Sequence, residues 1–378
     1  MFTFQYNLPV NLVFGRGKAD LIGERTAAYG TKALLVTGGG STKRSGLLDR
    51  VQQQLRRQGI AHILFDRVTP NPLTTTVYAG AELAIRESCD VVLALGGGSS
   101  LDAAKAIAFQ AANGGDINDY IFARKTSDRA LPVVAVPTTC GTGSEGNGFA
   151  VMTNPDTLDK KSLRCNAILP KCSIIDPLLM ATMPRATLAS VGFDALCHNT
   201  DGYLSRIAQP LTDLMALRGA ELAVSGLRRV TADAADLDGW DELCLASTLG
   251  GMVIHSAGVT ALHGMEHPVS GLRDAIHGQG LAALAPVVYE ASIAGAPMKF
   301  AALARLLGGA DETDFVPRLR QLLDQLQLSL TLGQLGIGAA DIDWLAENCL
   351  KVSAASMANH PVAFDLPVIK RLYLAALS

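Results

Sequence analysis

Short apolar runs alternate with helical segments along the first half of the chain, and this alternation constrains the fold more than any other feature. The apolar runs lie at 32–37, 61–66, 90–95 and 132–137, and helical periodicity occupies 45–59, 74–87 and 99–112. Apolar runs of this length, bounded by glycine or proline, are typical of strands that are buried on both faces. The pattern therefore predicts a parallel sheet covered by helices on both sides.

The second half of the chain has a different pattern. From about residue 180, segments rich in alanine and leucine follow one another with helical periodicity, at 187–204, 210–225, 240–255, 277–293, 299–307, 314–326, 340–350 and 368–377. No convincing strand lies among them. Since 378 residues are many for one hydrophobic core, we predict an α/β domain over 1–180 followed by an all-α domain over 181–378.

Composition excludes several classes of protein. The formal net charge of -3 gives no attraction to nucleic acid or to anionic lipid, so we expect neither as a partner. Neither a signal peptide nor an apolar run long enough to span a bilayer is visible. The seven cysteines are scattered without CxxC spacing, which favours reduced thiols and a cytoplasmic location.

Glycine-rich loops follow two of the predicted strands. Gly97, Gly98 and Ser99 open a predicted helix that also carries Asp102. Glycines let the backbone approach a pyrophosphate, and a helix N-terminus offers free N–H groups to it. A tight turn between strand and helix explains the same glycines, so both interpretations stay open for this loop alone.

The other loop begins with Gly38, Gly39 and Gly40 and continues with Ser41, and Lys43 and Arg44 follow. Sites that prefer NAD place a carboxylate near the ribose 2′-hydroxyl, whereas a 2′-phosphate needs donors and positive charge. The loop lacks a carboxylate, which favours NADP(H). The alternative is a solvated basic turn.

A third strand is followed by a segment rich in hydroxyls and glycines. Thr138, Thr139, Thr142 and Asn147 in this segment could line a cofactor trough. Lys160 comes soon after and could face a phosphate, although a surface turn explains it equally well.

Five of the seven histidines fall between 198 and 277. Asp194 and His198 are four residues apart and would share one face of a helix, and His263 and His267 have the same spacing. Asp194, His198, His263 and His277 together offer three imidazoles and a carboxylate, a set that suits Fe(II) or Zn(II). His267 could be a further ligand, a proton relay, or a partner of a ligand.

Several motifs, taken together, resemble those of the iron-containing (group III) alcohol dehydrogenases. They are NLPVNLVFG near the start, PNP at 70–72, GGGSSLDAAK, PTTCGTGSE, Asp176-Pro177, MPRATLASVGFDALCH, HGMEHPVSG with IHG, and ANHP near the end. The resemblance covers nearly the whole chain. The GGGSTKRSG segment at 38–46 is similar to the NADPH-preferring butanol dehydrogenase and aldehyde reductase type.

The resemblance implies a fold like that of dehydroquinate synthase, with a dinucleotide-binding α/β domain and a helical metal-binding domain. It implies that Asp194, His198, His263 and His277 hold one divalent metal, usually iron and sometimes zinc. His267 would lie near the nicotinamide as the candidate catalytic residue. The residues expected to contact the cofactor are Gly38, Gly39, Ser41, Asn71, Gly97, Gly98, Ser99, Asp102, Thr138, Thr139, Thr142, Asn147, Lys160 and Leu179. The chain departs from the family at NTDGY, where AIEAY is common, and at Ser270, where glycine is common.

Two functional hypotheses follow. The first is a metal-dependent, NAD(P)-linked oxidoreductase that interconverts short-chain primary alcohols and aldehydes, with NADP(H) favoured. The second is a metal-dependent lyase or cyclase of the dehydroquinate synthase type on the same fold. The N-terminal segment Thr3–Phe14 predicts an edge strand, and such edges are usually covered, so we expect a homodimer or a higher homo-oligomer.

Overall fold

The computed structural model describes residues 3–378, and the predicted division into a sheet-containing half and a helical half is confirmed. The strands are β1 (Asn11–Phe14), β2 (Lys32–Gly38), β3 (Ala61–Val68), β4 (Val91–Gly96), β5 (Val133–Pro137), β6 (Phe149–Thr153), β7 (Lys160–Arg164) and β8 (Cys172–Ile175). The helices among them are α1 (Ile22–Ala27), α2 (Ser41–Arg44), α3 (Leu47–Arg57), α4 (Thr74–Arg86), α5 (Gly98–Asn113) and α6 (Ile117–Ile121).

Every α-helix of the second half follows the last strand. These helices are α7 (Arg185–Leu204), α8 (Pro210–Ala232), α9 (Leu237–Ala257), α10 (Ala261–Arg273), α11 (His277–Glu290), α12 (Pro297–Leu306), α13 (Phe315–Gln325), α14 (Ile342–Val352), α15 (Ala354–Ala358) and α16 (Leu366–Ala375). Their apolar faces form one large core, which includes Trp240 and Phe300.

Six strands form one parallel sheet in the order β1-β8-β5-β4-β2-β3. All six residues of β4 are buried, because helices pack on both faces of the sheet and leave no strand surface for water. Separate hydrophobic cores, one with Val92 and Phe109 and the other with Leu93 and Val51, lie on the two faces. The prediction of a doubly covered parallel sheet is thus confirmed.

Some elements differ from the prediction. The N-terminal edge strand is right only for Asn11–Phe14, since residues 3–10 form no regular element, and Met1 and Phe2 lie outside the described residues. Helix α10 has no counterpart among the predicted segments because Pro268 stands inside it and glycines interrupt its apolar pattern. The strands β6 and β7, which pair as an antiparallel hairpin, and the strand β8 were not predicted either.

Backbone-to-backbone packing joins the loop after β5 to the helical half. A Cβ on Gly251 of α9 would lie 1.9 Å from the carbonyl oxygen of Gly143, which itself has a positive φ of 56°. A Cβ on Gly141 would lie 2.7 Å from the carbonyl oxygen of Val191 in α7. Only glycine permits these approaches, so the loop is held directly against the helices.

No single helix among residues 3–378 is long and apolar enough to cross a membrane. The helices α9 and α10 meet that test only as a pair, with a bend of 104° between them.

Candidate functional site

Helix α7 presents a buried polar stripe to the helical core. Asp194, His198 and Asp201 follow one another at i, i+4 and i+7, so they lie on one face of the helix. They are 3%, 6% and 0% exposed. Polar groups buried this deeply need partners from neighbouring elements.

Helices α10 and α11 supply those partners. The His263 imidazole places Nε2 3.4 Å from Asp194 Oδ1 and donates from Nδ1 to Asp201 Oδ2 over 2.8 Å. The His277 imidazole places Nε2 3.7 Å from the same Asp194 oxygen, and its Nδ1 is bonded to Glu266. Both imidazoles therefore direct Nε2 toward the Asp194 carboxylate, and the Nδ1 of each ring is bonded to a second carboxylate.

His198 completes the cluster from α7 itself. Its Nδ1 lies 3.4 Å from Asp194 Oδ1 and 3.3 Å from the carbonyl oxygen of Gly141. Its ring stacks on that of His263, with centroids 4.5 Å apart. The predicted quartet is thus brought together by three helices and by the loop after β5.

The donor set fits a divalent metal. One ligand atom from each of Asp194, His263 and His277 lies within 4.8 Å of the others. A histidine that binds a metal usually donates its second ring N–H to a carboxylate or a carbonyl, which fixes the ring. Asp201 and Glu266 occupy those positions. Imidazole and carboxylate ligands suit iron or zinc.

Burial and charge set the protonation of this cluster. Burial acts to raise the pKa of Asp194, but the neighbouring imidazoles hold it below its usual range. Burial lowers the pKa of His198 to about 4. At His263, burial acts to lower the pKa, but hydrogen bonds to Asp194 and Asp201 outweigh it and raise the pKa to about 9. A metal ion would therefore have to displace a proton from His263.

A cleft between the two halves contains most of the predicted site residues. It encloses about 770 Å³, part of it open to solvent. The predicted residues that line it are Asn71, Gly98, Ser99, Asp102, Thr142, Asn147, Lys160, His198, His263, His267 and His277. Gly98 lets the loop before α5 approach the loop after β5, because a Cβ there would lie 2.3 Å from Thr142 Cγ2.

A second cavity contains other predicted cofactor residues, namely Ser41, Thr138, Thr139 and Leu179, together with Arg44. Gly38, Gly39 and Gly97 are absent from both linings and lie in the turns that border them: Gly38 ends β2, and Gly97 precedes α5. The strand ends and loops thus converge on one edge of the sheet, as expected for a parallel α/β fold.

Lys160 and Asn71 form a polar bridge across the cleft. Lys160 is 5% exposed, so the surface-turn interpretation is wrong for this residue. Its Nζ donates to Asn71 Oδ1 over 2.9 Å and lies 3.8 Å from Glu266 Oε2. Asn71, in the left-handed region with φ of 47°, donates to Asp274 over 2.7 Å.

His267 lies on the cleft side of α10, with its ring centroid 5.9 Å from that of His277. Burial, reinforced by the charge of Lys160, keeps its pKa well below the usual range, so the imidazole is neutral. One of its ligand atoms also lies within 4.8 Å of ligand atoms of Glu266 and His277. Its place at the cleft is compatible with proton exchange.

Sequence reasoning missed Asp201 and Glu266. A signal for Asp201 was present, since Asp194, His198 and Asp201 have helical spacing. Glu266 also has helical spacing with His263 and with Ser270, so a signal for it was present too. The Ser270 hydroxyl donates a hydrogen bond to Glu266. The hairpin β6–β7 was also missed, although polar residues alternate at 160, 162 and 164.

Two family models match almost the whole chain. A family model described as iron-containing alcohol dehydrogenase matches residues 9–177, and one described as the C-terminal part of the same family matches residues 188–377.

The chain belongs to the iron-containing alcohol dehydrogenase family.

Its relatives are named dehydrogenases. A 1,3-propanediol dehydrogenase of Klebsiella pneumoniae is 36% identical over 92% of each chain. An NADH-dependent butanol dehydrogenase A of Clostridium acetobutylicum is 30% identical over 99% of this chain and 100% of its own. The structure of an archaeal alcohol dehydrogenase from a Red Sea brine pool superimposes with a TM-score of 0.96, at 32% identity and full coverage of both chains. The chain is therefore an oxidoreductase of this family with the fold of its members.

The carboxylates behind the histidines give a first prediction. Glu266→Gln keeps the shape of the side chain and removes its charge, so the His277 imidazole becomes a weaker ligand. We expect the affinity for Fe(II) or Zn(II) to fall about 10- to 100-fold, as measured by competition with a chelator. Glu290→Gln, an exposed change on α11, the helix that carries His277, is the control. Equal metal affinities in the two variants would contradict the assignment.

Proposed function

We propose that this enzyme interconverts short-chain primary alcohols and aldehydes, with a divalent metal held by Asp194, His198, His263 and His277 and with a nicotinamide dinucleotide as the redox partner. The observation that carries this proposal is the convergence of His263 and His277 on Asp194 in the cleft that also contains Gly98 and Ser99. The first 180 residues would bind the dinucleotide and residues 181–378 the metal.

When bound, the metal supplies a Lewis acid that polarises the substrate oxygen, and the nicotinamide exchanges hydride with the carbon that carries it. The protein supplies alignment. Asp201 and Glu266 hold the rings of His263 and His277 in place. The backbone N–H groups at the start of α5 would face the pyrophosphate of the dinucleotide, and the buried part of the cleft wall excludes water.

His267 has the position for proton transfer. It lines the same cleft as the metal ligands, and its side chain has no hydrogen-bond partner within residues 3–378. We therefore assign it the exchange of a proton with the substrate oxygen, rather than a place in the metal site.

Removal of a central ligand tests the proposal. His263→Ala should lose the bound metal and most of the turnover of an aldehyde panel, because it removes one of the two imidazoles aimed at Asp194. Metal content and steady-state rates are measured on protein reconstituted separately with Fe(II) and with Zn(II). His62→Ala, on strand β3, should retain both properties. A metal-free His263→Ala enzyme with full activity would refute the proposal.

We further propose that NADP(H) is favoured. Ser41 and Arg44 line the second cavity, and the glycines at the end of β2 provide no carboxylate that would repel a 2′-phosphate. Lys43 contributes less, because it is paired with Asp66. The name of one relative, an NADH-dependent butanol dehydrogenase, argues against this preference.

The cofactor preference is tested at Arg44. A hydrogen bond to a charged group contributes about 1.5–3 kcal/mol, so Arg44→Ala should lower kcat/KM for NADPH about 10- to 100-fold and leave that for NADH nearly unchanged. Arg57→Ala, an exposed change at the end of α3, is the control. The proposed preference for NADP(H) is wrong if the wild-type enzyme prefers NADH and Arg44→Ala alters kcat/KM for neither NADPH nor NADH.

We also propose a cytoplasmic homodimer. All seven cysteines are free, which favours a reducing compartment. Strand β1 forms one edge of the sheet and pairs with β8 alone, and exposed edges are usually covered. Sedimentation of the purified protein measures its oligomeric state.

A further inference from the structure

The hairpin β6–β7 forms a floor of the cleft. Because side chains alternate along a strand, Lys160, Ser162 and Arg164 lie on one face of β7, and all three line the cleft. On β6, Val151 pairs with Ser162 and Phe149 pairs with Arg164, and both of these partners line the cleft as well. One face of the hairpin therefore lines the cleft.

Arg164 stands out among the charged residues of this floor. Its guanidinium lies over the ring of its cross-strand partner Phe149, 4.7 Å from the centroid. It is exposed, although it belongs to the lining of the cleft. No carboxylate among residues 3–378 pairs with it. The aromatic contact orients the guanidinium and leaves its hydrogen-bond donors free.

The other charged groups of the cleft have protein partners. Lys160 is bound to Asn71 and lies close to Glu266. Asp102 accepts from Ser144 Oγ over 2.5 Å and from the backbone N–H of Val151 over 2.9 Å. Asp194 lies within the histidine cluster. Arg164 therefore has the one unsatisfied charge that the described part of the chain presents to this cleft, and that charge is positive.

The apolar part of the lining stands beside Ser162, which lies between Lys160 and Arg164 on β7. It includes Phe149 and Val151 from the hairpin, Ile254 from α9, and Val259. Lys160, which contacts Glu266 behind His277, and Arg164 are four residues apart on β7, a separation of about 13 Å along the strand. A cleft with an oxygen-binding end, a short apolar wall and an unpaired guanidinium fits a short carbon chain that ends in an anion.

We propose that the preferred substrates are short aldehydes and alcohols that carry a terminal anionic group, a carboxylate or a sulfonate, which Arg164 binds. This inference rests on the proposed function, because the reacting carbon is taken to lie at the histidine cluster. The guanidinium offers two parallel N–H donors, which match the paired oxygens of a carboxylate or a sulfonate. Phe149, Ile254 and Val259 contact the carbon chain between the two ends.

The test compares each anionic aldehyde with a neutral one of similar shape. The pairs are 4-oxobutanoate with 4-methylpentanal, and sulfoacetaldehyde with 3,3-dimethylbutanal. For the metal-loaded wild-type enzyme we expect kcat/KM to be about 10- to 100-fold higher for the anionic member of at least one pair, which also identifies the anion. Raising the salt concentration should reduce this ratio, because ions screen the attraction.

Variants locate the effect at Arg164. Arg164→Met keeps the aliphatic stem and should lower kcat/KM for the anionic aldehydes about 10- to 100-fold, while the values for the neutral aldehydes and the KM for the dinucleotide change less than about twofold. Arg164→Lys should restore part of the loss. Arg320→Gln, an exposed change on α13, is the control and should alter kcat/KM for neither the anionic nor the neutral aldehydes. The inference is overturned if the wild-type enzyme prefers the neutral members, or if Arg164→Met affects both members equally or weakens dinucleotide binding.

Calorimetry separates this inference from the proposed reaction. Binding of 4-hydroxybutanoate and of 2-hydroxyethanesulfonate to the metal-loaded protein is measured for the wild type and for Arg164→Met. Binding that is lost in the variant supports the anion site even if no aldehyde is reduced, in which case only the proposed reaction fails. Reduction of neutral aldehydes, with no binding of either anion, upholds the reaction and refutes the anion site.

Discussion

The pairing of buried carboxylates with buried imidazoles is the interaction on which the rest of this structure depends. Asp194, Asp201 and Glu266 are almost completely buried. Carboxylates this deep in a protein are costly unless charged or hydrogen-bonding partners surround them. The partners are His263 and His277, which belong to two other helices. The helices α7, α10 and α11 must therefore meet at one place, and that place is the candidate metal centre.

The same requirement explains why the two halves of the chain meet so closely. Glycines at 141, 143 and 251 let the loop after β5 contact α7 and α9 through the backbone. The same loop, which carries residues expected to contact the dinucleotide, thereby also contacts His198, through the carbonyl oxygen of Gly141. The candidate cofactor loops and the candidate metal ligands are fixed relative to each other by direct packing, which is the alignment that the proposed hydride transfer needs.

Much of the fold and of the candidate metal centre could be predicted from the sequence, because both leave short-range patterns. The strand Val91–Gly96 is an uninterrupted apolar run, and Asp194 and His198 have helical spacing. Helix α10 was not predicted because Pro268 interrupts its helical pattern. The role of Glu266, which lies on this helix, was therefore missed as well. The hairpin β6–β7 was not predicted because its polar residues are typical of a surface turn. In the structure, tertiary contacts bury Lys160.

By itself, the sequence determined the two-part architecture, the glycine loops and the identity of the candidate ligands, since periodicity and residue chemistry are local properties. Only the tertiary structure decided which carboxylate supports which histidine, that Lys43 is paired with Asp66, and that Arg164 lies in the cleft without a protein partner. The contacts that hold the two histidines and Lys43 join residues 11 to 62 positions apart. Spacing along the chain does not encode such distances, because the packing of whole helices and strands sets them.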